Sequence, residues 1–97
     1  MACTVGDVAR LMEQWAPREW IEPGDNVGLL AGVSTRPVRS VLISLDVTED
    51  VIRQAADMGA DMIVAHHPFL YRPVGAVTDG SLAGRLAMLS IEHRIAV

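Results

Sequence analysis

The chain has 97 residues, 12 acidic and 8 basic, with a formal net charge of −4, and 51% of it is apolar. That length admits one small domain or part of a larger one, and that apolar fraction excludes a disordered segment. The single cysteine, Cys3, excludes an internal disulfide framework.

Thr4 followed by Asp7 is a capping box, and Val8, Leu11, Met12 and Trp15 recur at helical spacing, which predicts a first helix ending before Pro17. Cys3 precedes it with no base nearby and reads as an ordinary thiol, not a nucleophile. Residues 17–26 read as an exposed connection, with Trp15 and Trp20 as packing anchors around it, and residues 27–31 as a short strand. Residues 38–45 (VRSVLISL) are apolar and β-branched enough to predict a second strand covered on both faces.

Asp46, Val47 and Thr48 open a helix whose inward stripe is Val51, Ile52, Ala55 and Met58, and Gly59 supplies its left-handed end. Residues 61–65 follow as a strand, completing the order of a right-handed βαβ unit with parallel strands. A loop over 68–80 leads to a helix over 81–92 carrying Leu82, Leu86 and Leu89, with His93 near its end as a dipole partner. Residues 94–97 have the composition of a further strand that breaks off mid-element. An apolar edge with nothing to cover it predicts poor solubility or self-association of the isolated chain. The fold class is α/β, with alternating helices and strands and a mainly parallel sheet, and the 97 residues read as the amino-terminal part of one such domain, apparently truncated.

All eight basic residues are arginines, scattered singly along the chain, which together with the negative charge speaks against a nucleic-acid surface. No run is long and apolar enough for a membrane span and the amino terminus lacks a signal-peptide pattern, so with one free thiol the expected location is the cytoplasm.

In open α/β sheets ligands bind outside the carboxyl ends of the strands. Two polar positions fall there: Asp46 after one strand, and His66 and His67 after the next. Parallel neighbours would bring them within about 5 Å of each other across the sheet. Two imidazoles with carboxylates suit Zn, Fe, Mn, Co or Ni, and adjacent ligands leaving a strand point in different directions, so two metals are served more readily than one. Pro68 holds His67 extended. The blander readings are a surface pair for His66-His67 and, for Asp46 with Glu49, a helix-start signature.

Taken with residues 20–32 (WIEPGDNVGLLAG) and 41–46, the His66-His67-Pro68 segment resembles the amino-terminal part of the Nif-three-like family of dinuclear-metal proteins, also called GTP cyclohydrolase I type 2 homologues. The order matches throughout: a helix ending in Pro, Asp25-Asn26-Val27-Gly28-Leu29, a strand ending in Asp46-Val47-Thr48, a helix, Gly59-Ala60-Asp61, and a strand into His66-His67-Pro68. The resemblance implies a larger two-lobed α/β fold that assembles as a homo-oligomer, a hexameric toroid. It also implies two divalent metal ions held through His66 and His67, with Asp46, Asp25 and Asn26 in supporting positions near the cleft. Family members complete the site with an Asp after the next strand and a His and a Glu near the carboxyl terminus, none of which this sequence contains.

Three functions follow as expectations. The first is a metal-dependent hydrolase in which activated water opens a guanine nucleotide ring. The second is a metal-stabilised binding or regulatory protein, and the third an inactive fragment lacking the remaining ligands. No glycine-rich phosphate loop identifies a nucleotide.

Overall fold

The computed structural model describes residues 3–16, 26–70 and 72–97. Helix α1, Val5–Trp15, begins at the predicted capping box: the Asp7 amide donates to Thr4 Oγ1 at 3.2 Å and the Thr4 amide to Asp7 Oδ2 at 3.0 Å. That backbone N–H of Thr4, followed by its hydroxyl, holds the Asp7 carboxyl below its ordinary range. The helix ends at Ala16. Its apolar stripe is less buried than the spacing implies: Val5 is buried, while Leu11, Met12 and Trp15 are exposed. The helix is tied to the rest of the fold at its amino end, where the Val5 and Gly6 amides donate to the Arg36 and Ser34 carbonyls. Trp15, 71% exposed, is no packing anchor among the described residues, and Trp20 lies outside them.

Strands β1, Val41–Ser44, and β2, Met62–Ala65, pair in parallel with Val41 opposite Met62 and Ser44 opposite Ala65. The first is shorter than residues 38–45 because the backbone ahead of it bonds elsewhere: the Val38 amide donates to the Cys3 carbonyl and the Arg39 amide to Asp61 Oδ2. Only one face of β1 is covered. Leu42 and Ser44 are half-buried, whereas Val41, Ile43 and Leu45 are exposed, so the expectation of two covered faces is corrected.

Between the strands lies α2, Glu49–Asp57, which buries Ile52 and Ala55 completely. Met58 is exposed rather than inward, because it caps the helix end just before Gly59 turns the chain at φ +72°. Helix α3, Leu82–Glu92, starts at Ser81, whose hydroxyl accepts from the Gly84 amide at 3.0 Å. It buries Leu86, Ala87 and Ser90 and leaves Leu82 exposed in its first turn. The buried Ser90 hydroxyl is satisfied, donating to the Ala87 carbonyl at 2.9 Å. Arg85 of α3 reaches Glu49 of α2 at 3.4 Å across the surface.

The last three residues run beside β2. Met62 and Ala96 form a parallel bridge, and the Ile63 amide donates to the Ala96 carbonyl at 2.7 Å. On their other side Ala31 and Val97 exchange both backbone hydrogen bonds, at 3.2 and 2.9 Å, the pattern of an antiparallel pair. Residues 27–31 are therefore not a strand in full; only their end pairs. The same pairing corrects the expected bare edge, since Ile95, Ala96 and Val97 are all buried. Ile95 and Val97 join Ile52, Ile63 and Leu86 in the main core, while Ala96 joins Met62 and Val5 in a second cluster with Leu29 and Val38 packed against it. Each fully buried aliphatic side chain stabilises the fold by about 1.5–3 kcal/mol. No helix of the described residues is long and apolar enough to cross a membrane.

Candidate metal centre

Parallel pairing sets the site. Because Ser44 lies opposite Ala65, the residues leaving the two carboxyl ends emerge side by side, and the pairing continues beyond the strands: the His66 amide donates to the Ser44 carbonyl at 3.1 Å and the His67 amide to the Leu45 carbonyl at 2.9 Å. Both histidines are thus pinned by their own backbone before any side chain acts. On the neighbouring strand's exit, the Ser44 hydroxyl donates to the Asp46 carbonyl at 2.9 Å and tightens the turn.

These constraints bring Asp46 Oδ1 to 2.6 Å from His67 Nδ1. Asp46 is available because it is not the helix cap: Thr48 fills that role, its hydroxyl accepting from the Val51 amide at 3.1 Å. The helix-start reading of Asp46 with Glu49 is corrected accordingly. The His66 and His67 rings lie 4.8 Å apart between centroids and are tilted by 47°. His66, His67 and Asp46 are all exposed.

A carboxylate on Nδ1 leaves Nε2 of His67 as the free ring nitrogen, the arrangement in which a carboxylate orients an imidazole for a metal. The donor chemistry therefore fits a divalent ion. Its number falls short of a closed site, since among the described residues no group of three or more His, Cys, Asp or Glu side chains is placed to hold a metal. Asn26 donates from its side-chain amide to the Leu70 carbonyl, tying its segment to the loop that follows the histidines. The sequence offers no signal for that partner. Asp25 lies outside the described residues.

Comparison with known proteins agrees with the fold. The family model described as Duf34/NIF3 (NGG1p interacting factor 3) matches residues 3–97. The chain is 38% identical over 90 residues to the GTP cyclohydrolase 1 type 2 homolog of Halalkalibacterium halodurans, a match covering 93% of this chain and 24% of the relative. Among solved structures, a Bacillus cereus protein related to NIF3 superposes with a TM-score of 0.88 at 35% identity, over 99% of this chain and 26% of that one. A hypothetical protein of Staphylococcus aureus superposes with a TM-score of 0.90 at 30% identity, over 99% and 27%. The chain thus spans about a quarter of the length of these relatives.

Proposed function

The chain belongs to the Duf34/NIF3 family, and from that premise we propose that it supplies part of a dinuclear metal site, with His66 and His67 as ligands and Asp46 as the carboxylate that orients His67. The observation carrying this reading is the Asp46–His67 contact of 2.6 Å at the carboxyl ends of two parallel strands. The adjacent rings lie 4.8 Å apart between centroids, close enough for both imidazoles to serve one metal centre. Two donors make a weak site, so the reading requires further ligands besides these two histidines.

In such a site, divalent ions such as Zn, Fe, Mn, Co or Ni supply Lewis acidity and lower the pKa of water at neutral pH. The chain's own part is to orient. Asp46 holds His67 in the tautomer that carries its proton on Nδ1 and presents Nε2, while the paired backbone keeps His66 and His67 on one side of the sheet end. We infer from the relatives' name that the reaction is hydrolytic opening of a guanine nucleotide ring, in a cytoplasmic homo-oligomer, a hexamer by resemblance.

The test is metal content and turnover of the family-length protein carrying this segment. Metal analysis should find two divalent ions per subunit, reduced by His66→Ala and by His67→Ala. Turnover of GTP with Mn or Zn, abolished by His67→Ala, supports the hydrolase. Metal retention with no turnover of any nucleoside triphosphate, alongside stable capture of a partner, supports a metal-stabilised binding protein instead. Metal content unchanged by either histidine variant overturns the site.

A further inference from the structure

At the opposite end of the sheet from the histidines, ahead of β1 and β2, lies an open concavity of about 480 Å³. Four charged residues line it: Arg36, Arg39, Arg94 and Asp61. The arginines are scattered in the sequence, but folding gathers three of the chain's eight on one cleft, a local excess of positive charge in a protein of net charge −4. Arg10, Arg53 and Arg85 are paired with carboxylates, whereas Arg36, Arg39 and Arg94 have no ion pair among the described residues. The one carboxylate of the cleft, Asp61, accepts the Arg39 backbone amide at 2.8 Å.

Each arginine is fixed at its backbone. The Arg36 amide donates to the Val33 carbonyl, and its own carbonyl accepts from Val5. Arg94 is the more telling case. It stands just past the end of α3 at φ +57°, the only non-glycine residue in the left-handed region among those described. Glycine is the usual occupant of that position, so an arginine there carries a conformational cost. The lining also contains Gly32 and Gly59, both at positive φ, and a Cβ on Gly59 would meet nothing within 4 Å, so that wall is open. Guanidinium groups present planar, fixed forks that match phosphoryl oxygens and stay charged at all relevant pH.

We propose that this cleft binds the phosphoryl group of a small phosphorylated ligand through Arg36, Arg39 and Arg94. Its volume is in the range of small-molecule sites, and its place at the amino ends of the strands separates it by the length of β1 and β2 from His66 and His67. The proposal does not depend on the metal reading.

The experiment is calorimetric titration of the metal-free protein with pyrophosphate, in a phosphate-free buffer at low salt. Saturable binding is expected, weakened about tenfold by Arg39→Gln and by Arg94→Gly, since each removes a charge-assisted hydrogen-bonding group. Arg94→Gly serves as its own folding control, because glycine suits φ +57° and the melting temperature should hold or rise. Binding unchanged in a His66→Ala/His67→Ala double variant is expected; loss there would place the anion at the histidines and overturn the proposal. No saturable binding at millimolar pyrophosphate also overturns it, as does binding indifferent to the arginine variants. Binding of duplex oligonucleotide without binding of pyrophosphate would assign the cleft to nucleic acid and overturn the small-ligand proposal.

Discussion

Asp46 and His67, 21 positions apart in the chain, are joined by a single 2.6 Å contact that exists only because β1 and β2 run parallel and in register. The relationship separates two roles within one short turn. Asp46 faces the imidazole, and Thr48, two residues on, holds the helix.

The first prediction follows from that separation. Asp46→Ala should weaken Zn or Mn binding by the family-length protein about 10- to 100-fold, the usual effect of losing a carboxylate behind a ligating imidazole. Because the group is exposed, unfolding free energy should move by no more than about 0.5 kcal/mol. Thr48→Ala should do the reverse, costing about 1 kcal/mol through the lost cap while leaving metal affinity alone. Metal titration and thermal melts on both variants check the pair.

Gly32 carries the second. A Cβ there would stand 2.7 Å from the Ala96 Cβ, and the residue's φ of +132° is hostile to any L side chain. Gly32→Ala should therefore cost about 1–3 kcal/mol and loosen the last segment first. Hydrogen exchange checks it: the amides of Ile63 and Val97, both bonded through that segment, should lose protection before those of α2.

A third concerns the sheet's faces. Ile63→Ala, at a position 1% exposed, should destabilise by about 2–5 kcal/mol, whereas Ile43→Ala, 78% exposed, should shift stability by about 0.5 kcal/mol or less. Equal losses in denaturant titrations would mean that both faces of the sheet are covered.

Acid gives a fourth. The Thr4 backbone amide, with its hydroxyl, favours ionised Asp7 in the folded state, so the folded value lies below the unfolded one of about 3.9. The stabilisation is complete above the unfolded value and is lost as pH falls through the lower folded one. The protein should thus lose stability more steeply than Asp7→Asn on acidification below about pH 4, measured by circular dichroism at several pH values.

Local signals made the three helices, the βαβ order and both of its strands legible in the sequence, because capping residues, apolar spacing and Gly59 act within a few positions. The placement of His66, His67 and Asp46 was legible too, since strand ends collect polar residues in such sheets. What escaped depends on contacts distant in sequence. Nothing near Ile43 says that its face is left open, and the inward reading of Met58 could not foresee that the helix turns out one residue earlier. The apparent edge at residues 94–97 was misjudged because its cover, Leu30 and Ala31, comes from more than sixty positions earlier. The arginines are scattered in the sequence for the same reason: Arg36 and Arg94 come to line one cleft only in the folded chain.

The three residues beside β2 alternate between two packing layers, with Ile95 and Val97 on one side and Ala96 on the other. A shift by one position would exchange them, pressing a branched side chain against Gly32 where only a methyl group fits and leaving the main core with a methyl group in place of a branched side chain. The segment is too short to define its alignment by hydrogen bonds alone, so its alignment is proofread by volume: each wrong placement is penalised twice, once by crowding and once by a void.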